Sequence, residues 1–513
     1  MQTTDYDVII IGAGINGAGI ARDAAMRELK VLLVDKGDIG GGTSAWSTRL
    51  IHGGLRYLEH GEFGLVRESL REREILMHIA PHLVRPLPIV LPIYKGARRG
   101  PWSIRAGMWA YDLLSFKKTL PRHRFLSPQQ AREEIPSLES RHLKGAAVYY
   151  DAQVEFAERL VLENVLSAVE YGATIHTYTG LRNFVRSADR ITAVELVNEI
   201  TGNAQQLTAR MFVNAAGPWV DDVLEKGPGS ERLIGGTKGS HIIVGQFDGA
   251  PSTGLYVEAE ADGRPFFIIP WNEKYLIGTT DIRFEGDPDK ARIDESEIEY
   301  LLRETNRVLR HAALTRNDVL YSYSGVRPLP YTGEKREDRI TRRHFIRQHP
   351  RFNNLLSIIG GKLTTYRSLA EETVDVVFCV LDRSYSTLGT VLTLLPGAST
   401  PSNDRLQRLY GSRSRLVLKL VSDDPALGTV FDEETGATAA EIVHAFRNEI
   451  ATTLTDCLLR RTMVGFNSTC GLNAVEAAAD ICGKHLGWSE ERCASEIEHY
   501  RKEVGRSLQM HLR

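Results

Sequence analysis

The feature that most constrains the fold is a glycine-rich turn near the start of the chain. Residues 7–11, DVIII, are a short apolar run that predicts a buried strand. GAGING follows at 12–17, a helical stretch then runs to about Leu29, and KVLLVD at 30–35 predicts a second strand. This order of strand, glycine turn, helix and strand indicates a βαβ unit.

The three glycines of this turn predict a dinucleotide site. Gly12 permits the tight turn, Gly14 lets the backbone approach a pyrophosphate, and Gly17 lets the helix pack closely on the sheet. The helix N-terminus offers N–H groups and a positive dipole end to phosphates, and Asp35 can accept hydrogen bonds from a ribose. Plain packing is the alternative for such a turn, and the motif does not distinguish NAD from FAD.

Composition argues against several other classes of protein. The chain has 513 residues, enough for two or three domains, and its net charge of −2 argues against a nucleic-acid partner. Five cysteines without a C-x-x-C pair argue against a disulfide framework or a metal site, and favour a reducing compartment. We expect no signal peptide, and no apolar run reaches the length of about 18 residues that a membrane span requires.

Later strands predict how the rest of the chain is organised. Apolar strands recur at 211–219 and 355–366 and end abruptly in small residues. Short β-branched segments at 239–247, 265–271 and 274–281 predict an antiparallel sheet between them. We therefore predict a nucleotide domain assembled from separated segments, with a sheet-based domain inserted into it.

The last part of the chain predicts a helical domain. In residues 439–461 apolar side chains recur at every fourth position, as on one face of an amphipathic helix. These side chains are Ile442, Phe446, Ile450, Leu454 and Leu458. The predicted class is α/β (α+β overall), with a Rossmann-type nucleotide domain, an inserted antiparallel-sheet substrate domain and a C-terminal helical domain. The predicted boundaries are 1–75, 150–225 and 320–390 for the discontinuous nucleotide domain, 76–149 and 226–319 for the substrate domain, and 400–513 for the helical domain.

Two further turns favour FAD over NAD as the dinucleotide. NAAGPW at 214–219 and GGKLTTY at 360–366 each follow a strand. An NAD domain has little use for such turns, whereas an extended FAD is lined along its length. A helix predicted at 363–372 would also bring a positive helix end near a reduced flavin. Taken singly, each turn could equally be a plain strand–helix loop.

The stretch TRLIHGGLRYLEHGE at 48–62 predicts the reactive end of the site. The glycines in HGG at 52–54 would let the backbone lie against a flat ring, and Arg56 and Tyr57 would then project at the ring's reactive edge. Hydroxyl groups precede the stretch or begin it, at Ser44, Ser47 and Thr48. The alternative is a solvated turn that carries surface arginines.

Several long motifs resemble those of the FAD-dependent glycerol-3-phosphate dehydrogenases of the aerobic, respiratory type. The motifs are IGAGINGAGIARDAA, STRLIHGGLRYLEHGEFGLVRESLRER, KGSHIIV, IGTTD, YSGVRPL and GGKLTTYR. The resemblance runs from about residue 5 to about residue 400, with a departure in GGGTS at 40–44. It implies the amino-acid-oxidase-like flavoprotein fold. It also implies oxidation of sn-glycerol 3-phosphate to dihydroxyacetone phosphate by hydride transfer to N5 of FAD, with the electrons passed to a quinone.

The resemblance places candidate catalytic residues on matching positions of this chain. In HGGLRY the substrate-site arginine corresponds to Arg56, with Tyr57 beside it; GVRPL supplies Arg327 and GGKLTTY supplies Lys362. These cations come from distant segments, as convergence on one phosphate dianion would require. KGSHIIV supplies His241, our candidate for the base that takes the hydroxyl proton, although a buried structural histidine is the alternative. Arg327 would polarise the developing carbonyl oxygen, since a guanidinium hardly deprotonates. The predicted cofactor contacts are Gly12, Gly14, Asn16, Gly17, Asp35, Lys36, Thr43, Ser44, Ser47, Leu50, His52, Gly53, Gly54, Leu55, Ala216, Gly217, Trp219, Gly361, Lys362, Leu363 and Thr364.

Residues 94–125 predict contact with a membrane surface. They hold eight lysines and arginines against one acid, Asp112, with aromatic residues interleaved. Such a segment suits an anionic bilayer, although a substrate-domain helix with a solvated basic rim is the alternative. The aromatic residues are Trp102, Trp109, Tyr111 and Phe116. Together with the resemblance, this segment predicts a cytoplasmic protein attached peripherally to the inner face of the cell membrane. The resemblance alone implies that the protein is a homodimer.

Three other functions stay open at the level of sequence. A glycerol-phosphate oxidase that uses O2 would carry an inserted segment, which we do not find. An amine or 2-hydroxyacid oxidase of the same superfamily would need only one arginine for a carboxylate. A non-catalytic flavin-binding protein would not be reduced by a substrate.

Overall fold

The computed structural model describes residues 4–97, 99–115, 118–227, 229, 231–332, 340–384 and 389–510. Its strands are β1 (Tyr6–Ile11), β2 (Val31–Val34), β3 (Leu50–Ile51), β4 (Val84–Tyr94), β5 (Arg124–Leu126), β6 (Leu143–Val154), β7 (Thr174–His176), β8 (Thr179–Ser187), β9 (Arg190–Asn198), β10 (Ala204–Asn214), β11 (Thr237–Val244), β12 (Gly254–Glu258), β13 (Pro265–Trp271), β14 (Lys274–Gly278), β15 (Ile282–Arg283), β16 (Val319–Arg327), β17 (Phe345–Gln348), β18 (Leu355–Ile359), β19 (Val430–Asp432), β20 (Ala437–Thr438) and β21 (Gln509–Met510).

The α-helices of the described residues follow the same chain order. They are α1 (Ile15–Met26), α2 (Phe63–Ile79), α3 (Pro101–Leu114), α4 (Pro128–Glu134), α5 (Ala157–Glu170), α6 (Val220–Glu225), α7 (Glu295–Val308), α8 (Tyr366–Leu381), α9 (Arg405–Tyr410), α10 (Ser414–Asp423), α11 (Ala439–Asn448), α12 (Leu454–Arg460), α13 (Val475–Leu486) and α14 (Glu490–Ser507). In the part of the chain just defined, no helix is long and apolar enough to cross a membrane.

The first sheet has a parallel centre, in the order β17-β18-β10-β1-β2-β7. Strand β1 runs parallel to both β10 and β2, as a buried nucleotide-binding sheet requires. Its side chains alternate between two cores: Val8 and Ile10 pack with α1, α5 and α8, whereas Ile9 and Ile11 pack with the opposite face. The carboxyl ends of β1, β2, β10 and β18 therefore meet at one edge, where the glycine turns lie.

The second sheet follows the order β21-β16-β11-β14-β13-β12-β4-β6-β3 and is antiparallel except where β12 pairs with β4. The predicted antiparallel sheet is confirmed, because β11, β13 and β14 are its central strands. In the β11–β16 pair His241 lies opposite Tyr323, and Thr237 lies opposite Arg327. The pairing thus presents a histidine and an arginine from neighbouring strands. The domain boundaries stay predictions.

Two helix predictions are wrong in their bounds. The single helix predicted over 439–461 is two helices, because the chain turns between α11 and α12, where Ile450 has a φ of +58°. Thr453 begins the second helix, and its hydroxyl oxygen accepts a hydrogen bond from the amide of Asp456 at 3.2 Å. The helix predicted at 363–372 is α8, which begins at Tyr366 because the residues before it form a turn.

Candidate active site

A cavity of about 880 Å³ lies along the edge where the two sheets meet. Its lining includes the ends of β1, β2 and β10 from the first sheet, and residues of β11 and β16 from the second. It therefore extends from the glycine-rich turn to the predicted catalytic side chains. Its walls come from segments as distant in sequence as Gly12, His241 and Lys362.

The glycine turn is built as the sequence predicts. Gly12 has a φ of +108°, and an added Cβ there would lie 2.7 Å from the carbonyl oxygen of Ala215 on the neighbouring strand. A Cβ on Gly17 would lie 1.8 Å from the carbonyl oxygen of Gly12, so this glycine serves the packing of helix on strand. The hydroxyl of Ser44 accepts a hydrogen bond from the amide of Ile15 at 3.0 Å and so satisfies one N–H of the first turn of α1.

Asp35, which we expect to bind a ribose, accepts hydrogen bonds from the protein's own backbone. Its carboxylate accepts hydrogen bonds from the amides of Ala13, at 2.6 Å, and Gly37, at 2.8 Å. Burial raises the pKa of Asp35 even though these amides oppose the shift. The carboxylate thus holds the glycine turn against the end of β2. Each oxygen keeps a lone pair, so a bond from a ribose hydroxyl stays a prediction.

The residues of this half of the cavity fit an extended dinucleotide. Within the described residues the Asn16 side-chain oxygen and the Trp219 indole N–H are buried without a hydrogen-bond partner, although both residues line the cavity. Gly361 has a φ of +96°, and a Cβ there would lie 2.6 Å from the side-chain amide nitrogen, Nδ2, of Asn16. Polar groups that need a partner, next to a glycine that admits no side chain, match a ligand that lies against backbone.

The segment at 48–57 enters the cavity with only one of its two glycines. The Gly53 amide donates to the hydroxyl of Tyr111 at 2.9 Å, and a Cβ there would clash with that hydroxyl, so Gly53 faces α3. Gly54 has a φ of +75° and lines the cavity. The amide of His52 donates to Thr364, which ties this segment to the turn before α8. Burial lowers the pKa of His52 to about 4, so its ring is neutral.

The predicted cations do converge at one end of the cavity. Arg56, Arg327 and Lys362 all line it, and Arg342 lines it beside them. Burial lowers the pKa of Arg327, and the charges of Arg342 and Arg56 lower it further. Lys362 lies 4.8 Å from the centre of the Tyr57 ring and donates to the hydroxyl of Ser69 at 2.8 Å. The four cations are thus close enough to influence one another, as an anion site requires.

His241 lies beside this cationic end. Its Nε2 is 2.9 Å from the hydroxyl oxygen of Thr48, and its ring centre is 5.0 Å from that of Tyr323. Nδ1 is buried and has no partner within the described residues. Burial lowers the pKa of His241 well below its usual value, and the charges of Arg327 and Arg49 lower it further. The imidazole is therefore neutral and able to take a proton.

Almost all of the predicted site residues line this one cavity; the exceptions are Gly17 and Gly53. Sequence reasoning missed Arg342, which lies in no recognisable motif, and Asp281, which ends the IGTTD motif. Asp281 accepts hydrogen bonds from Arg327 at 2.9 Å and from Arg342 at 3.0 Å. Only the motif itself pointed to Asp281, and no local signal pointed to Arg342.

Fold and site together define a dinucleotide-dependent oxidoreductase whose reaction end is built to hold an anion. Residues 7–367 match the family model described as FAD dependent oxidoreductase, and the chain belongs to that family. Residues 354–493 match the model described as the C-terminal domain of alpha-glycerophosphate oxidase. The predicted family, fold class and FAD cofactor are thereby confirmed.

Similar proteins cover nearly the whole chain. A glycerol-3-phosphate dehydrogenase of Synechocystis is 47% identical over 98% of this chain and 96% of its own length. The aerobic glycerol-3-phosphate dehydrogenase of Escherichia coli is 37% identical over 90% of this chain and 94% of its own length. A D-erythritol 1-phosphate dehydrogenase of Brucella abortus is 39% identical over 89% and 94%. The crystal structure of glycerol-3-phosphate dehydrogenase from Bacillus halodurans with FAD superposes with a TM-score of 0.79, at 27% identity, over 98% of this chain and 95% of that one.

Proposed function

We propose that this protein oxidises sn-glycerol 3-phosphate to dihydroxyacetone phosphate with FAD as its electron acceptor. The observation that carries the proposal is the group of cations at one end of the FAD cavity, with a neutral histidine beside it. The relatives named glycerol-3-phosphate dehydrogenase support it, since they match this chain over nearly its full length.

The phosphate is held by Arg56 and Lys362 with help from Arg342. Arginine can bind two phosphate oxygens at once through its planar fork, and lysine adds a point charge. A carboxylate substrate carries one negative charge and needs one such partner. Several cations around one cavity end therefore favour a phosphate ester over the 2-hydroxyacid or amine substrates of related oxidases.

His241 takes the proton of the C2 hydroxyl, and Arg327 stabilises the developing carbonyl oxygen. When bound, FAD supplies N5 as the acceptor of the C2 hydride. Burial, and after it the charge of Arg327, lowers the pKa of His241, so the histidine is a weak base before substrate binds. A bound dianion offsets that charge, so the imidazole becomes more basic when the substrate is in place. Phosphate clamping fixes the pose and makes the transfer effectively unimolecular.

Anaerobic titration tests this function directly. Glycerol 3-phosphate should bleach the yellow absorbance of the holoenzyme, while glycerol and lactate should leave it unchanged. D-erythritol 1-phosphate belongs in the same series, because a 39% identical relative bears the name of its dehydrogenase. Stronger bleaching by that polyol phosphate would replace the substrate proposed here, and bleaching by none of them would refute the proposal.

Arg327→Ala separates the catalytic part from cofactor binding. We expect the variant to keep FAD and to lose turnover by orders of magnitude, because the developing oxyanion loses its partner. Arg186→Ala is the matched control, since Arg186 lies exposed on the β8–β9 hairpin. Near-normal turnover in Arg327→Ala would overturn the role assigned to this arginine.

Electrons leave to a quinone in this proposal, with O2 as the alternative acceptor. The match to the C-terminal domain of an oxidase keeps the alternative in the test. Reoxidation of the bleached enzyme by a soluble ubiquinone analogue should be much faster than reoxidation by air-saturated buffer. The reverse order would identify an oxidase.

Helix α3 is the proposed membrane-facing surface. Trp102, Trp109 and Leu113 follow one face at spacings of seven and four and are 81%, 65% and 81% exposed. Tyr111, which the sequence grouped with them, points inward and donates to Asp151 at 2.7 Å. Phe116 lies outside the described residues. Exposed tryptophans in a basic segment suit the headgroup region of an anionic bilayer.

Co-sedimentation with anionic vesicles tests that surface. The double variant Trp102→Ser/Trp109→Ser should lose most binding to phosphatidylglycerol vesicles, and high salt should weaken binding by the native protein. Leu392→Ser is the matched control, because Leu392 is 76% exposed at another place. Equal binding by both variants would remove α3 from the proposal. The homodimer at the inner face of the cell membrane stays a prediction that sedimentation velocity tests.

A further inference from the structure

Asp281 lines the cationic end of the cavity and contacts two of its arginines at once. Its Oδ1 accepts from Nη1 of Arg327 at 2.9 Å, and its Oδ2 accepts from Nη2 of Arg342 at 3.0 Å. Its side chain is only 11% exposed. Burial alone would raise the pKa of Asp281, but the charges of Arg327 and Arg342 lower it to about 2. The carboxylate is therefore ionised near neutral pH.

The same short turn after β14 holds Arg327 from a second side. Nη2 of Arg327 donates to the hydroxyl oxygen of Thr279 at 3.1 Å. The guanidinium of Arg327 is thus fixed by a carboxylate and a hydroxyl two residues apart. Arg342 reaches the other carboxylate oxygen from a segment 15 positions further along the chain than Arg327. Without the carboxylate, the two guanidinium groups would repel each other. Because each is partly buried, water would screen that repulsion only weakly.

We propose that Asp281 is a positioning residue for the oxidation. It keeps Arg327 and Arg342 at a fixed separation and balances part of their charge, and it acts on the substrate through these arginines, to which both of its carboxylate oxygens are bonded. The proposal rests on the function proposed above, in which this cavity end receives a phosphate ester. Asp281 also competes with incoming anions for the two guanidinium groups.

Removal of the carboxylate charge should therefore separate binding from rate. In Asp281→Asn an amide N–H₂ must face one guanidinium, so that arginine loses the acceptor that fixes its orientation but stays in the cavity. The cavity also becomes more positive. Anions should bind as well as before or up to about tenfold more tightly, whereas the reaction should slow about 100-fold, because small misplacements of catalytic groups carry that cost.

The experiment compares holoenzymes of native protein, Asp281→Asn, Asp281→Glu and Thr279→Val. Inorganic phosphate is the binding probe, followed by the change it causes in flavin absorbance. The rate of anaerobic flavin reduction by glycerol 3-phosphate is the second readout. Asp281→Glu keeps the negative charge, so its phosphate affinity should equal that of the native protein. Its rate of flavin reduction should lie between the rates of native protein and Asp281→Asn. Asp189→Asn, in the exposed turn between β8 and β9, is the control for loss of one negative charge.

Each outcome decides the proposal. Slow reduction with unweakened phosphate binding in Asp281→Asn supports it. A reduction rate within threefold of native, or a parallel loss of phosphate binding, overturns it. If Asp281→Asn fails to fold or loses FAD, Thr279→Val decides instead: about tenfold slower reduction with unchanged phosphate affinity supports the proposal, and native behaviour overturns it. If native protein is not bleached by glycerol 3-phosphate, the proposed function fails. The phosphate titration still shows whether loss of the negative charge at Asp281 changes the affinity of the cavity for an anion.

Discussion

The ammonium group of Lys362 should make substrate binding depend on pH in a predictable window. Burial lowers the pKa of Lys362 to about 8, although Glu68 and Glu62 oppose the shift. Its Nζ donates a hydrogen bond to the hydroxyl of Ser69 at 2.8 Å. Between pH 7 and 9 this lysine loses most of its charge, whereas arginine side chains keep theirs. The phosphate ester stays a dianion over this range because its second pKa is about 6.

The size of the effect follows from that pKa. With a value of about 8, roughly nine tenths of Lys362 is charged at pH 7 and about one tenth at pH 9. If only the charged form clamps the phosphate, KM for glycerol 3-phosphate should rise about tenfold between these pH values. The turnover number should change much less, because Lys362 holds the phosphate and does not contact C2 in the proposed role.

The titration of Lys362 affects the stability of the fold in the opposite direction to its effect on substrate binding. The pKa of Lys362 is lower in the folded chain than the ordinary value of about 10.4 expected when unfolded. Between those two values the unfolded chain binds more protons, so this group stabilises the folded state increasingly as pH rises. Substrate affinity and the contribution of Lys362 to stability should therefore change in opposite directions above pH 8.

Steady-state kinetics of the holoenzyme from pH 6.5 to 10 measure this dependence. Lys362→Met should show a raised KM at pH 7 and should lack the tenfold rise. Lys290→Met is the control, because Lys290 is an exposed lysine that pairs with the surface residue Asp287. A flat KM through pH 9 in the native enzyme, or the same rise in Lys362→Met, would refute the assignment of the charge to phosphate binding.

Two further substitutions test how the cofactor end is built. Asp38→Asn should lower the free energy of unfolding by about 3–5 kcal/mol, because the buried Arg461 side chain loses its charged partner and one of the two bonds that it makes to this carboxylate, at 2.8 and 2.9 Å. Chemical denaturation measures the change. Gly361→Ala should weaken FAD binding at least tenfold in a fluorescence titration of the apoprotein. The added Cβ meets Asn16 at 2.6 Å, and the residue has a φ of +96°.

Matched variants keep both tests specific. Gly436→Ala has a similar φ of +70°, but its Cβ would meet nothing within 4 Å, so it should bind FAD normally. Asp189→Asn should unfold like the native chain. If Gly361→Ala and Gly436→Ala bind FAD equally well, close approach at Gly361 is not what the cofactor needs. If Asp38→Asn costs less than about 1 kcal/mol, water rather than Asp38 satisfies Arg461.

The sequence pattern predicted the nucleotide end of the cavity well, because the structure there depends on residues that are close to one another in sequence. The glycine spacing in 12–17 and the continuous apolar run of DVIII in β1 each depend on neighbours within one turn or one strand. The break between α11 and α12 could not be predicted in that way, since the fourfold spacing continues through it. Glu449 lies at this break, and its carboxylate is bound at 2.6 and 2.8 Å by Arg159, which lies 290 positions away.

The same limit applies to the catalytic end. Arg56, Arg327 and Lys362 were predictable only because each lies in a long motif. Asp281 and Arg342 acquire their importance through contact with other segments, and a carboxylate or guanidinium in a loop carries no sign of such a partner. Where a charge acts through a tertiary pairing, the fold has to be known before the residue can be assigned.

The C-terminal domain takes part in the cofactor site through that kind of pairing. Arg461, at the end of α12, reaches Asp38 in the loop that follows β2, and Arg460 binds the same carboxylate at 2.5 Å while also lining the cavity. The loop from 37 to 49 carries Thr43 and its hydroxyl neighbours along the cavity wall. A helical domain that is remote from the glycine turn in sequence therefore fixes the loop that encloses the dinucleotide.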